Sequence, residues 1–186
     1  MRDLPTGHHG YSLLELLFVV TIILIIAAIA VPRFLKTKYS ANEVSAANSL
    51  RQINTANANY SAHFNIGYAG SLAQLGPATA GCTGGESACA DLLDSVLSGT
   101  ALSLAQPVKS GYRFTYYAPS GTPTTAAPNG TYAVVATPTI PGNTGVSTFC
   151  IDNRGAVYRD TSGTQTTAAP GGCAASWPVG PSIGPI

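Results

Sequence analysis

The apolar stretch from Leu13 to Val31 constrains this 186-residue chain more than any other feature. Glu15 is the only charged residue within it. A helix of about 19 residues, at roughly 1.5 Å per residue, comes close to the ~30 Å hydrocarbon core of a bilayer. The stretch therefore predicts a membrane-spanning helix that carries one acidic side chain near its start.

Glu15 is the most informative residue of this helix, because an unpaired carboxylate is unstable in hydrocarbon. The cost is on the order of 3 kcal/mol at the middle of a span and less near an end. Spacing alone leaves two interpretations open. Either Glu15 lies at the headgroup boundary and stays hydrated, or a cation from outside the helix pairs with it.

The residues Gly10-Tyr-Ser-Leu-Leu-Glu15, followed by an apolar helix that contains Pro32, resemble the N-terminal signature of type IV pilins and type II secretion pseudopilins. The resemblance implies that residues 1–10 are a leader, which a prepilin peptidase removes by cutting after Gly10. The same enzyme would then methylate the new N-terminus at Tyr11. Glu15 would pair with the amino group of a neighbouring subunit during assembly, so that its cation comes from another chain.

The charges that flank the span bear on its orientation. Arg33, Lys36 and Lys38 follow the span, whereas only Arg2 precedes it with a fixed positive charge, and by the positive-inside rule this favours a cytoplasmic C-terminal side. The resemblance to a cytoplasmic leader and the cysteines after the span favour the opposite orientation. We therefore expect a single-pass protein of the bacterial inner membrane with its N-terminus inside, which moves after assembly to an extracellular pilus or a periplasmic pseudopilus.

The predicted fold class is α+β, with a long N-terminal helix packed against a small C-terminal antiparallel sheet, as in the pilin fold that the chain resembles. The helix is expected over residues 11–66, transmembrane over about 13–32 and amphipathic over about 33–66, with a globular head over 67–186. Pro32 lacks a backbone donor and crowds the preceding turn, so we expect the helix to kink or melt there. The amphipathic half presents apolar residues at three- and four-residue intervals: Val44, Ala47, Leu50, Ile53, Ala56, Tyr60 and Phe64.

The head is predicted to hold two short helices, over residues 71–75 and 90–98, and three or four antiparallel strands. Alternating apolar residues and turn sequences place the strands at 112–116, 131–137, 147–151 and 156–159. In the third of these strands, Phe149 and Ile151 share one face, so Cys150 lies on the other.

Four cysteines follow the span, and neither their spacing nor that of the histidines is typical of a zinc site. We expect disulfides in an oxidising compartment. Four cysteines allow three connectivities, and the sequence does not decide among them; we favour Cys82 with Cys89 and Cys150 with Cys173. The second bond would hold the Thr- and Pro-rich tail against the outer face of the sheet.

The sequence contains no motif for nucleotide, cofactor, metal or nucleophilic chemistry, so we predict a protein without enzymatic activity, cofactor or metal. Arg113, Arg154 and Arg159, interleaved with tyrosines, form the one candidate group for nucleic-acid contact. Cations on a sheet are more often simply solvated. Charged residues make up only 9% of the chain and the net charge is +1, so bulk charge indicates no polyelectrolyte partner.

The resemblance implies a structural subunit that polymerises with itself and with other pilins, with the help of inner-membrane pilus assembly machinery. A type II secretion pseudopilin is the alternative. The major pseudopilin pattern ends in an acidic calcium-binding segment, whereas no acid follows Asp160 here, which favours a pilus subunit and leaves the minor pseudopilins as an open alternative. A third alternative is a membrane-anchored binding domain that does not polymerise.

Overall fold

The computed structural model describes residues 11–186. The leader predicted at residues 1–10, including Gly10, lies outside the described residues. The first element is helix α1, Leu13–Phe64, which is 52 residues long. It contains the apolar stretch, and by length and composition alone it could cross a membrane.

The chain divides by its internal contacts into two units, one ending at Thr37 and a second spanning Lys38–Ile186. The second unit therefore contains the amphipathic half of α1 as well as the head. Within the first unit, α1 is helical through Pro32. The kink at Pro32 stays a prediction.

In the second unit, α1 buries one face. Leu50, Ile53 and Tyr60 are fully buried, and Ala46 is buried beside them. The predicted apolar face is correct from residue 47 onward, but Val44 is 58% exposed. Side chains three and four positions apart line one side of a helix, so this face can cover a sheet.

The head contains one antiparallel sheet of six strands in chain order. The strands are β1 (Val108–Lys109), β2 (Tyr112–Tyr117), β3 (Ala133–Pro138), β4 (Thr148–Asp152), β5 (Val157–Asp160) and β6 (Ile183–Pro185). Two short helices accompany them, α2 (Leu72–Leu75) and α3 (Cys173–Ser176), together with a 3-10 turn at Thr100–Leu102. The predicted α+β class is confirmed, and β2 to β5 lie where the alternating pattern predicts them.

The two faces of the sheet belong to two different cores. Phe114, Phe149 and Ile151 lie on the face that packs with the buried residues of α1. Val135 and Cys150 lie on the opposite face, in a second core that includes Trp177. The alternation of neighbouring residues between faces, which placed Cys150 away from the helix, is confirmed.

One predicted element is wrong. Residues 90–98 form turns rather than a helix, and Asp91 has a positive φ of 56°. The backbone N–H groups of residues 90–92 donate hydrogen bonds to the carbonyls of residues 74–76. These groups are thus satisfied by α2 and the residue after it, which removes the need for helical hydrogen bonds within the segment.

Candidate functional site

The N-terminal end of α1 brings the predicted assembly residues onto an unpartnered surface. Tyr11 and Ser12 precede the helix, and the Leu16 N–H donates to the Ser12 carbonyl at 3.1 Å. Glu15 lies in the first turn, where an acidic side chain complements the helix dipole. Among residues 11–186, no cation lies within 4 Å of its carboxylate. In this single chain, Glu15 is exposed and lacks an ionic partner from the described residues.

The apolar surface beyond Glu15 is nearly continuous. Its large side chains are mostly exposed, for example Leu24 at 62% and Ile25 at 65%. Thr21 is the one polar residue between Leu16 and Val31, and its hydroxyl donates to the Phe18 carbonyl at 2.7 Å. The segment therefore presents satisfied backbone groups and apolar side chains, which is the surface that lipid or other apolar helices can cover.

In the second unit, Glu43 links α1 to the β3–β4 connection and to β5. One carboxylate oxygen accepts the backbone N–H groups of Val146 and Ser147 at 3.1 and 3.0 Å. The other accepts Nη2 of Arg159 at 2.7 Å. Arg159 Nε donates in turn to the Ser147 hydroxyl at 3.0 Å. The Glu43 side chain is only 14% exposed, so these charge-assisted bonds are shielded from water.

Two asparagines of α1 continue the contact toward the C-terminal end of the helix. Asn57 is fully buried, and its carbonyl oxygen accepts the Tyr116 hydroxyl at 2.9 Å and the Ala69 N–H at 3.2 Å. Asn54 donates to the Tyr132 hydroxyl at 2.7 Å. Burial raises the pKa of Tyr116 and of Tyr132 well above the usual range, so both stay neutral hydrogen-bonding groups. The helix is therefore fixed in register on the sheet by specific polar bonds.

The disulfides connect the pairs that we favoured from the sequence. Cys82 is bonded to Cys89 within one loop, and Cys150 in β4 is bonded to Cys173 in α3. The first loop contacts α1 through the Tyr60 hydroxyl, which donates to the Ser87 carbonyl at 2.8 Å. The second bond ties the tail to the face of the sheet that is opposite α1.

The tail holds a core residue that sequence reasoning missed. Trp177 is fully buried, and its Nε1 donates to the Thr167 carbonyl at 2.9 Å. Asp152 at the end of β4 accepts the Cys173 N–H at 2.9 Å, beside the disulfide. Trp177 is the only tryptophan of the chain and lies four residues after a cysteine. A lone tryptophan close to a cysteine is the feature of the sequence that could have predicted a core in the tail.

Arg113 and Arg159, two of the three basic residues proposed for nucleic-acid contact, lie on opposite faces of the sheet. Arg113 lies next to Tyr112 and Phe114 in β2, and those two residues face α1, so Arg113 points to the other side of the sheet. Arg159 pairs in register with Phe149 on the α1 side and is bound to Glu43. The nucleic-acid prediction grouped residues that strand alternation separates.

Among residues 11–186, no group of three or more His, Cys, Asp or Glu side chains could hold a metal ion. The carboxylate of Asp160, the last acid of the chain, is occupied by the loop that follows β5. It accepts hydrogen bonds from backbone and hydroxyl groups of Ser162 and Thr164 and from the Gln165 N–H. Burial opposes its ionisation, but these bonds prevail and lower the pKa of Asp160 to about 2.

Residues 6–31 match the family model described as the prokaryotic N-terminal methylation motif. The matched range contains Gly10, Tyr11 and Glu15. The chain carries the N-terminal signature of type IV pilins and pseudopilins. The long apolar helix followed by an antiparallel sheet is a pilin-like arrangement.

A second model, described as a protein of unknown function (DUF2950), matches residues 125–175. This range runs from the β2–β3 connection into α3 and includes the Cys150–Cys173 disulfide. No curated protein and no solved structure matches the chain. The comparisons therefore identify the pilin-like N-terminal motif and leave the role of the head to structural argument.

Proposed function

We propose that this pilin-like chain is the structural subunit of a type IV pilus. The precursor is held in the inner membrane by α1 with its N-terminus in the cytoplasm. A prepilin peptidase cuts after Gly10 and methylates Tyr11, and assembly machinery then transfers the subunit into a filament. Its function is mechanical and depends on subunit contacts, so we expect no enzymatic activity.

The observation that carries this proposal is the combination of an apolar helical surface with Glu15 at its start. Moving the surface from lipid into a bundle of identical helices keeps its apolar side chains covered. Glu15 would remain an unpaired charge in such a bundle, at a cost of a few kcal/mol. The amine that cleavage creates at Tyr11 of a neighbouring subunit is a cation of the required charge. Cleavage and assembly are therefore chemically linked.

The cation that pairs with the Glu15 carboxylate is proposed to come from a neighbouring subunit. Tyr11 and Glu15 are only four positions apart, yet Tyr11 lies before the first helical residue. An amine and a carboxylate of different subunits can pair when the helices are offset along their axes. Each new subunit would then neutralise one carboxylate that is already in the filament, which favours addition in one register.

A pseudopilin of a type II secretion system is the second candidate, because the methylation motif is shared by both classes. It would use the same N-terminal chemistry in a shorter, periplasmic filament. The hydrogen-bonding capacity of Asp160 is directed to its own loop, and residues 11–186 contain no group of three or more His, Cys, Asp or Glu side chains that could hold a metal ion. This supports a pilus subunit over a calcium-dependent pseudopilin.

The direct test is electron microscopy of filaments sheared from intact cells, with mass spectrometry of their subunit. We expect surface filaments whose subunit begins at Tyr11 and carries one added methyl group. Subunits that begin at Met1 and remain monomeric would refute the proposal. Loss of protein secretion in a deletion strain, without loss of surface filaments, would instead support the pseudopilin.

The ion pair is tested with Glu15→Gln, which keeps the size of the side chain and removes its charge. We expect a precursor that is still cleaved and stays in the membrane but yields few or no filaments. Glu86→Gln is the matched control, since Glu86 is an exposed acid whose Oε1 accepts the hydroxyl of Thr83 within its own loop. Normal filament yield from the Glu15→Gln strain would show that the carboxylate is not needed for assembly.

A further inference from the structure

Two segments of the head have almost the same sequence. Ser120–Gly130 reads SGTPTTAAPNG, and Ser162–Gly172 reads SGTQTTAAPGG. They differ only at the fourth position, Pro against Gln, and at the tenth, Asn against Gly. Neither segment forms a helix or belongs to a strand of the sheet.

The fold does not explain this repetition, because the two segments have different structural roles. The first connects β2 to β3, whereas the second leads from β5 into α3. In the second segment the hydroxyl of Thr164 bonds to Asp160 and Ala168 is buried. The equivalent Ala126 of the first segment is exposed. A sequence kept in two different local structures is better explained by recognition of the sequence itself.

The two segments approach each other near their C-terminal ends. The hydroxyl of Thr131, directly after the first segment, donates to the carbonyl of Pro170 in the second at 2.8 Å. Both segments therefore belong to one region of the head.

Both segments present exposed threonine hydroxyls at equivalent positions. Thr125 and Thr167 occupy the sixth position, directly before Ala-Ala-Pro, and both are exposed. Within residues 11–186, neither hydroxyl forms a hydrogen bond, although the backbone carbonyl of Thr167 accepts Trp177 Nε1. Thr- and Pro-rich stretches of this kind are typical of O-glycosylated segments.

We propose that Ser120–Gly130 and Ser162–Gly172 are two acceptor sites for O-linked glycosylation, with Thr125 and Thr167 as the modified residues. The donor is a sugar that is activated through its anomeric carbon as a glycosyl phosphate. The threonine Oγ1 attacks this carbon and forms the glycosidic bond while the carbon–oxygen bond to phosphate breaks. The phosphate leaves with the bonding electron pair, and a base of the transferase takes the hydroxyl proton.

The structure favours modification of the hydroxyls over modification of the nearby amide. Asn129-Gly-Thr131 matches the N-glycosylation pattern. Asn129 is only 1% exposed, however, and its amide nitrogen donates to the carbonyls of Ser120 at 2.8 Å and Ala69 at 3.4 Å. Its nitrogen is therefore occupied and shielded, whereas the threonine hydroxyls are free.

The test is mass spectrometry of the full-length protein purified from its native host, with peptide fragmentation that preserves side-chain modifications. We expect peptides with Thr125 and Thr167 to exceed their polypeptide masses by whole sugar residues, and the fragment ions to place the added mass on these threonines. The double variant Thr125→Val, Thr167→Val should lose the increment at both positions. The control Thr79→Val removes another exposed loop threonine, from the sequence Ala-Thr-Ala, and should keep both increments.

Three outcomes would overturn the proposal. One is complete coverage of both segments at their unmodified masses. The second is a sugar found on Asn129 or outside the two segments, with Thr125 and Thr167 unmodified. The third is an added mass at these threonines that corresponds to phosphate instead of sugar. Because the readout is a mass, it does not depend on whether the substituted protein forms filaments.

Discussion

The bond between Cys150 and Cys173 is predicted to contribute more to the stability of the head than the bond between Cys82 and Cys89. The perturbation is replacement of each pair by alanine, which removes the bond without leaving a reactive thiol. Cys150 and Cys173 are both fully buried in the core around Trp177. Their replacement tests whether the tail is held by the bond or by packing alone.

The expected magnitude follows from the length of chain that each bond closes. A sequence separation of 23 residues corresponds to about 3.4 kcal/mol of unfolding free energy in the chain-entropy relation, and a separation of 7 to about 2.3 kcal/mol. Lost packing of two buried sulfurs adds on the order of 1 kcal/mol to the first figure, and lost packing of the buried Cys89 sulfur adds about half of that to the second. We therefore expect losses of about 4 and about 3 kcal/mol, respectively.

The assay is urea denaturation of the full-length chain in detergent micelles, followed by tryptophan fluorescence. Trp177 is the only tryptophan and lies beside the Cys150–Cys173 bond, so its emission reports on the tail core directly. Circular dichroism at the same urea concentrations reports on the sheet and α1. Coincident transitions would show that tail and sheet unfold together, which the free-energy comparison requires.

Two results would refute this reasoning. One is a loss from the Cys150 and Cys173 pair that is no larger than the loss from the Cys82 and Cys89 pair. The other is a Trp177 transition that keeps its midpoint after the first pair is replaced. Either result would show that packing around Trp177 orders the tail without the covalent bond.

Three further predictions concern polar groups of the second unit. Glu43→Ala should lower the unfolding free energy by about 2–3 kcal/mol, because Arg159 and two backbone N–H groups lose a charged acceptor. Glu43→Gln should lower it by less. Urea denaturation of both variants checks this order. Asn57→Ala should cost about 2 kcal/mol in the same assay, since the buried Ala69 N–H loses its acceptor. The hydrogen bonds that lower the pKa of Asp160 stabilise the fold above pH 4, and this stabilisation of about 2 kcal/mol should be lost as pH falls from about 4 to about 2. Asp160→Asn should lack this pH dependence. Urea midpoints measured across this pH range test the prediction, and parallel pH profiles for the two proteins would contradict it.

The sequence predicted those parts of the fold that depend on regular alternation. Phe149, Cys150 and Ile151 were assigned to the correct faces, and α1 was recognised from apolar spacing that extends to Tyr60. Alternation is a local property of strands and helices, so it can be read without knowing what covers each face. The same rule, applied to Arg113 and its neighbours in β2, would have separated it from Arg159.

The parts that were missed depend on distant contacts. Strands β1 and β6 have two and three residues, and β6 contains Gly184 and Pro185, which are poor strand formers. They are strands because β2 and β5 offer free edges. Residues 90–92 turn because α2 accepts their N–H groups, a contact that propensity cannot indicate. Glu15 stands out from the residues themselves as the one acid of the apolar stretch, whereas its predicted role in assembly and that of Tyr11 rest on the resemblance.

The order of the six strands has a consequence for how the head forms. Each strand pairs with the one before it in the chain, so no crossover has to be threaded and most closing loops are short. Such a sheet can grow by successive hairpins as each further segment of the chain becomes free to pair. Its final strand, β6, pairs with β5, so the sheet is complete only after residues 183–185 have joined that edge.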